Sequence, residues 1–291
     1  MTARPGFLCA ACGPVPTPRL VVVDLDGTAL DEADRLHPAD RAALRRAAAS
    51  CTVAVATARP APDAARWADE IGADTCIALG GAVTVSAGLV GTATPVPPDA
   101  LDHLRGLAVS HRADLHLHTL TAWHPSADTP TARAYGRRHG LTPIPGPPRD
   151  LVLMAELVAP PGGLARFVPT GPLAGPDTVA TRSDDAQGDY LVVTAGGADK
   201  RAALARVLSV RGLDWADVLA FGDGALDAPV LAAARTGVTF GHAHPLARES
   251  ATHTLTTGPG AGSIAAALAA LVDRTPGRHP LLTCLHRKDA A

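Results

Sequence analysis

Short apolar runs alternate with amphipathic segments along two stretches of this sequence, and this alternation constrains the fold most strongly. The first run, Leu20–Val23, has four strand-favouring residues and no polar one, which is typical of a strand buried on both faces. Repeated strand–helix–strand units predict an α/β fold with a parallel, Rossmann-like sheet. The predicted elements are strands at 20–23, 52–56, 76–79, 190–193, 218–221 and 238–240 and helices at 38–49, 62–71, 200–211 and 229–235.

Between the two series, proline and glycine clusters interrupt the alternation. This middle part still carries strand patterns at 115–120 and 151–158 and a helix pattern at 99–111, so we predict a smaller α/β unit inserted as a cap domain. The predicted boundaries are a flexible tail at 1–18, a core domain at 19–82 and 190–275, the cap domain at 83–189 and a second tail at 276–291.

Charge and hydropathy argue against several classes of partner. The net charge of -2 gives no basic surface for nucleic acid or an anionic membrane. The apolar run Ile264–Val272 is too short to span a bilayer, and Phe7–Ala11 is too short for a secretory signal. We therefore expect a soluble, cytoplasmic protein with no nucleic-acid or membrane partner. No feature of the sequence specifies its oligomeric state.

The five cysteines are an odd number in a long chain, which favours reduced thiols over a disulfide framework. Cys9 and Cys12 form a CxxC pair with no second pair elsewhere. Half of a zinc site, completed by distant histidines, is one interpretation of this pair. The alternative, which we favour, is a loose proline-rich tail.

Two carboxylates follow the first strand. Asp24 and Asp26 are two residues apart, so they point the same way along an extended backbone. Gly27 permits a sharp turn out of the strand, and Thr28 has a hydroxyl that can bond back to the loop. Such close like charges indicate either a metal ion or different roles for the two acids, although an aspartate-rich turn without chemistry is the alternative.

Other predicted core strands also end in polar residues. Thr57 follows the strand at 52–56, and Asp223 and Asp227 follow the strand at 218–221. Because ligands of open parallel sheets bind beyond the carboxyl ends of the strands, these groups predict one shared site.

Lysine is rare in this chain. Only Lys200 and Lys288 occur among 26 basic residues, and Lys200 begins a predicted core helix. Its compact ammonium group can contact a carboxylate and a phosphate oxygen in a narrow crevice where the broader arginine fork fits poorly. We interpret Lys200 as a site residue and Lys288 as a solvated residue of the tail.

In order along the chain, these residues resemble the haloacid dehalogenase-like (HAD) superfamily. The insertion between the second and third motifs resembles the C2 cap of the Cof-type, or subfamily IIB, phosphatases by its position, size and texture. The matching residues are Asp24–Thr28 for the first motif, Thr57 for the second, Lys200 for the third, and Gly222, Asp223 and Asp227 for the fourth.

The resemblance implies a phosphatase that hydrolyses a small soluble phosphomonoester, such as a sugar phosphate or a phosphorylated cofactor. Asp24 would attack phosphorus to form an aspartyl-phosphate, and Asp26 would serve as the general acid and base. The remaining implied roles are Mg²⁺ binding by Asp24, Asp223, the backbone carbonyl of Asp26 and Asp227, and phosphate binding by Thr57, Lys200 and the backbone N–H groups of Leu25 and Gly27.

Some positions depart from the family pattern. Leu226 stands where the fourth motif usually has asparagine, and leucine cannot hydrogen-bond to the acidic loop. Ala58, Gly80 and His242 also replace the residues common in the family. Two alternatives therefore stay open beside the phosphatase: a phosphoryl transferase or mutase, and a sugar-phosphate sensor or scaffold with weakened catalysis.

Histidine and leucine alternate over Asp114–His118, so His116 and His118 share one strand face. That face either contacts substrate or is an ordinary solvated surface, and metal binding by the two histidines is the less favoured interpretation. Further candidates for contact with the substrate are Trp123, His124, Tyr135, Arg137 and Arg138.

Overall fold

A computed structural model of the 291-residue chain describes residues 7–9, 13–15, 17–185, 188–271 and 282–284. The strands are β1 (Phe7–Cys9), β2 (Gly13–Val15), β3 (Leu20–Val23), β4 (Thr52–Ala56), β5 (Thr75–Ala78), β6 (Val83–Ser86), β7 (Leu89–Ala93), β8 (Asp114–His118), β9 (Trp123–Pro125), β10 (Met154–Ala159), β11 (Thr178–Asp185), β12 (Gly188–Ala195), β13 (Val218–Phe221), β14 (Thr236–Phe240), β15 (His253–Leu255) and β16 (Leu282–Cys284). The helices are α1 (Pro38–Ala48), α2 (Ala61–Ile71), α3 (Pro98–His111), α4 (Pro130–His139), α5 (Lys200–Arg211), α6 (Ala228–Ala233), α7 (Pro245–Ser250) and α8 (Ser263–Leu271).

The chain divides into two compact units. The first comprises residues 1–56, 68–75 and 204–291, and the second comprises residues 57–67 and 76–203. The core and cap boundaries drawn from the sequence remain a prediction. No helix in the described part of the chain combines the length and apolarity needed to cross a bilayer.

The first unit contains a mainly parallel sheet. Its strands follow the order β16-β15-β14-β13-β3-β4, and all neighbours are parallel except β15 and β16. Strand β3 is fully buried, as its uninterrupted apolar sequence predicts. Helices α1 and α8 pack together, and the Asp40 carboxylate accepts a 2.7 Å hydrogen bond from the backbone N–H of Ala265. The predicted α/β class with a parallel core is thus confirmed.

The second unit contains an antiparallel sheet with the order β11-β12-β10-β8-β9. One face of this sheet packs against α3 through an aliphatic cluster that includes Leu104, Leu115 and Leu157. Next to the sheet, a smaller cluster joins Trp123 of β9 to Tyr135 of α4. The histidines and leucines of β8 therefore belong to different faces, in agreement with their alternation in the sequence.

Several elements have no counterpart in the sequence prediction. Helix α4 carries few apolar residues and three basic residues in its last turn, so it lacks a clear apolar stripe. Strand β7 is largely exposed and pairs with β6 in a hairpin. Strands β1 and β2 pair with each other within the segment predicted as the first tail, and β16, which lies in the predicted second tail, pairs with β15. The side chains of the Cys9/Cys12 pair, and all of Lys288, lie outside the described residues.

Candidate active site

Three acidic side chains meet in the first unit. Asp24, Asp223 and Asp227 each offer a carboxylate oxygen, and these three oxygens lie within 4.8 Å of one another. Asp24 and Asp227 are buried, while Asp223 is partly exposed. Carboxylates grouped this closely repel one another, so a bound cation would stabilise the arrangement.

The pairing of β3 with β13 explains why these acids meet. The two strands are parallel neighbours, with Val23 opposite Phe221, so both chains leave the sheet at the same level. The backbone N–H of Asp24 extends this pairing with a 3.0 Å hydrogen bond to the Phe221 carbonyl. Asp24 and the Asp223 loop thus reach the same edge of the sheet, in line with the position of each acid directly after a predicted core strand.

The first acidic loop is fastened directly to the second. Thr28 donates from Oγ1 to Oδ1 of Asp223 at 2.6 Å, so its hydroxyl bonds to the other acidic loop and not back to its own, the bond that the sequence suggested as possible. Gly27 lies beside the same carboxylate with a φ of +72°, and a Cβ at Gly27 would be 2.3 Å from Asp223 Oδ2. Any larger residue at position 27 would therefore displace Asp223.

Asp227 organises the second acidic loop. Its Oδ2 accepts hydrogen bonds from the backbone N–H groups of Asp223 at 3.2 Å and Gly224 at 2.8 Å. Leucine at position 226 is unable to make such bonds, but the loop already receives them from the next residue. Although Leu226 departs from the family pattern, these two loop N–H groups therefore still have a hydrogen-bond acceptor, the Asp227 carboxylate.

His242 also contacts the acidic loops, although in the sequence it stands out only as a departure from the family pattern. Its Nε2 lies 2.9 Å from the Gly27 carbonyl oxygen and 3.8 Å from Asp223 Oδ2. His242 and Gly27 are 215 positions apart in the sequence, so no local pattern shows this contact, which depends on the order of the strands.

The other residues of the first motif have separate surroundings. Leu25 is completely buried, so its side chain belongs to the core, and its carbonyl accepts the hydrogen bonds that close the turn. Asp26 is half-buried and forms an isolated bridge with Leu30. Asp26 is not part of the group of three carboxylates, and its predicted role as acid and base remains a prediction.

Thr57 and Lys200 belong to the second unit. Thr57 is wholly buried directly after β4, where its Oγ1 accepts a 3.1 Å hydrogen bond from the backbone N–H of Arg59. Lys200 is the first residue of α5 and is 3% exposed. Gly81 lies so close to the start of this helix that a Cβ at position 81 would be 2.6 Å from the backbone nitrogen of Lys200.

A buried ionic network in the second unit is centred on Asp63. Its carboxylate contacts Arg59 at 2.9 Å and His139 at 2.8 Å, and it also pairs with the more exposed Arg66. Burial alone would raise the pKa of Asp63, but the hydrogen bond from His139 and the charge of Arg59 hold that pKa below its ordinary value. The network joins the first turn of α2 to the last turn of α4.

The substrate residues predicted in the cap have different surroundings. His116, His118 and Trp123 are buried and surround Tyr135, whose ring centroid lies 4.6 Å from that of His116. The interpretation of the two histidines as a solvated strand face is therefore wrong, because α4 covers them. Arg137 lies on the same helix but is exposed to solvent.

Family comparison agrees with these features. A family model described as haloacid dehalogenase-like hydrolase matches residues 21–136 and 176–268. The chain belongs to this family, so the family predicted from the motifs is confirmed. A comparison with curated proteins finds no significant match.

Solved structures share the fold at low sequence identity. A phosphatase of the haloalkanoate (HAD) enzyme superfamily from Bacteroides thetaiotaomicron, BT1666, is 22% identical, with a TM-score of 0.71 over 89% of this chain and 98% of its own. The HAD subclass IIB sugar phosphatase BT4131 is 17% identical, with a TM-score of 0.71 over 86% of this chain and 97% of its own. TM0651 from Thermotoga maritima is 17% identical, with a TM-score of 0.69 over 86% of this chain and 96% of its own.

Proposed function

We propose that this protein is a magnesium-dependent phosphomonoester hydrolase that forms an aspartyl-phosphate on Asp24. The observation that supports this most directly is the grouping of Asp24 with Asp223 and Asp227, whose carboxylate oxygens lie within 4.8 Å of one another. Membership of the haloacid dehalogenase-like hydrolases supports the same chemistry.

The donor set of the acidic group fits magnesium. All three side chains offer carboxylate oxygen, the ligand type that hard divalent cations prefer, and the exposed part of Asp223 leaves room for water ligands. Bound magnesium would neutralise charge on the phosphoryl oxygens and on the nucleophile. Thr28 and the N–H groups bonded by Asp227 would hold the carboxylates in place.

Two aspartates would carry out the reaction. In the first step an Asp24 oxygen bonds to phosphorus, the ester P–O bond breaks, and Asp26 gives a proton to the departing alcohol oxygen. In the second step Asp26 takes a proton from water as that water bonds to phosphorus. The bond between Asp24 and phosphorus then breaks, releasing inorganic phosphate and restoring both side chains.

Thr57 and Lys200 are proposed to bind the phosphoryl oxygens. This assignment rests on the second and third motifs that these residues match. A buried hydroxyl and a buried ammonium group are suited to such binding, because positioning and charge stabilisation supply most of the catalysis in phosphoryl transfer. The backbone N–H groups of Leu25 and Gly27 are proposed to complete the phosphate contacts.

The proposed substrate is a small phosphorylated metabolite, with sugar phosphates as the first class to test. BT4131, which shares the fold, is described as a sugar phosphatase. The negative net charge and the lack of an evident basic surface agree with a small substrate rather than a nucleic acid.

A panel of phosphate esters, assayed for released phosphate with and without magnesium, tests the proposal. We expect magnesium-dependent release that is abolished in Asp24→Asn and retained in Asp102→Asn, which removes a carboxylate from the exposed face of α3. Release that persists undiminished in Asp24→Asn would contradict the proposal. An isomeric phosphate without free phosphate would indicate a mutase, and tight ester binding without turnover would indicate a sensor.

A further inference from the structure

Two paired strands of the second unit bring together a different set of metal-binding residues. His116 lies opposite Glu156 in the pairing of β8 with β10, and His118 is two residues further along the same face of β8. One ring nitrogen from each histidine and one carboxylate oxygen of Glu156 lie within 4.8 Å of one another. Because adjacent strands carry all three residues, the backbone pairing fixes their spacing.

The two histidines are buried, and three of their ring nitrogens have no hydrogen-bond partner among the described residues. His116 is 0% exposed and neither of its ring nitrogens makes a hydrogen bond within the described part of the chain, and the same is true of Nδ1 of the 1% exposed His118. Nε2 of His118 lies 3.3 Å from the Tyr135 hydroxyl. Buried polar groups almost always have partners, so these nitrogens indicate a ligand other than the residues that the structure describes.

The protonation of the histidines suits metal binding. Burial lowers the pKa of His116 to about 3 and, together with neighbouring histidines, lowers the pKa of His118 well below its ordinary value. Both imidazoles are then neutral near pH 7, the form that binds metal ions. Glu156 is buried beside them, at 6% exposed.

We propose that His116, His118 and Glu156 bind a zinc ion. Two imidazoles and one carboxylate form a donor set found in zinc sites, whereas magnesium favours oxygen ligands alone. Zinc would be coordinated by one ring nitrogen from each histidine. Bound in this way, the ion would link β8 to β10 next to Tyr135. This site is independent of the proposed phosphatase, whose metal ligands are all carboxylates or carbonyls.

Zinc retention by the full chain tests this site. The protein is treated with chelator, dialysed against Zn²⁺ and then against metal-free buffer, and its metal content is measured by mass spectrometry. We expect a stoichiometric zinc ion in the wild type and its loss in His116→Gln and Glu156→Gln. The control His103→Gln, which changes a histidine of α3 outside the group, should retain zinc, as should Asp223→Asn, which changes the acidic group.

X-ray absorption at the zinc edge of the wild type provides a second measurement that does not depend on the variants folding. Imidazole scattering from two histidines supports the site. The absence of retained zinc, a ligand shell of oxygen alone, or unchanged zinc retention in a folded His116→Gln protein would overturn it. None of these outcomes bears on phosphate release, so failure of the zinc site is distinguishable from failure of the phosphatase proposal.

Discussion

Thr28 and Asp223 lie 195 residues apart in sequence, yet the threonine hydroxyl donates a 2.6 Å hydrogen bond to the aspartate. The bond fixes one oxygen of Asp223 and leaves the other beside Gly27 and within 3.8 Å of His242 Nε2. Thr28 therefore determines the orientation of a proposed metal ligand without being a ligand itself.

Thr28→Val should weaken magnesium binding while preserving most of the packing, because valine has the shape of threonine without the hydroxyl. We expect the magnesium concentration for half-maximal activity to rise by about 10- to 100-fold, as is usual when a group that orients a metal ligand is removed. A magnesium titration of phosphate release measures this. Thr28→Ser keeps the hydroxyl and should remain near the wild type; equal losses in both variants would argue against the orienting role.

Gly27→Ala should be more damaging than Gly88→Ala, although both residues have positive φ values, +72° and +76°. Each alanine destabilises the protein by about 1–2 kcal/mol, because its Cβ crowds the backbone in the left-handed conformation. Among the described residues, only the Cβ at position 27 meets another group, 2.3 Å from Asp223 Oδ2, since no described atom lies within 4 Å of a Cβ at position 88. We expect thermal unfolding to show destabilisation in both variants and a magnesium titration to show weaker binding in Gly27→Ala alone.

The loop of the fourth motif should tolerate Leu226→Asn with little change, because Asp227 already accepts the hydrogen bonds of Asp223 and Gly224. Asp227→Ala removes those bonds and should raise the magnesium requirement by about 10-fold or more. Magnesium titrations of both variants distinguish the contribution of Leu226 to magnesium binding from that of Asp227. A large gain of activity in Leu226→Asn would instead identify the leucine as the limiting feature of the loop.

Asp63→Asn should destabilise the protein by about 3–5 kcal/mol, because it removes the charged partner of the buried Arg59 guanidinium from this ion pair. Chemical denaturation measures this loss. The exposed pair of Asp102 with Arg105 supplies the control, since Asp102→Asn should cost only about 0–1 kcal/mol. Similar losses in the two variants would contradict the importance assigned to the buried network.

The contribution of Asp63 to the free energy of unfolding should also depend on pH. The pKa of Asp63 is lower in the folded protein than its ordinary value of 3.8, so its stabilisation is fully present above the unfolded pKa. That stabilisation is lost as the pH falls through the folded pKa. The difference in unfolding free energy between wild type and Asp63→Asn should therefore shrink as the pH falls through the folded pKa of Asp63.

The parallel core was predictable because its signals are local. Leu20–Val23 is continuously apolar since both faces of β3 are buried, and Asp24 follows it where the chain leaves the sheet. By contrast, the hydrogen bond from Thr28 to Asp223 and the contact of His242 with Gly27 depend on which strands become neighbours. No local pattern carries that information.

The surroundings of the β8 histidines escaped prediction for a related reason. Their alternation with leucine reveals two faces, but it does not reveal what covers each face. Helix α4 covers the histidines through Tyr135, and its own sequence, rich in arginine and poor in apolar residues, hides its buried side. Failure to predict that helix led to the solvated interpretation of His116 and His118.

The two buried faces of β8 also determine how this strand aligns with β10. A shift by one residue would turn every side chain to the opposite face. His116 and His118 would then enter the hydrocarbon layer that now holds Leu115 and Leu117, and the leucines would face Tyr135. In a strand with identical apolar faces such a slip would cost little free energy. Here a slip would bury the imidazoles among aliphatic side chains, so the histidines disfavour the misaligned sheet during folding.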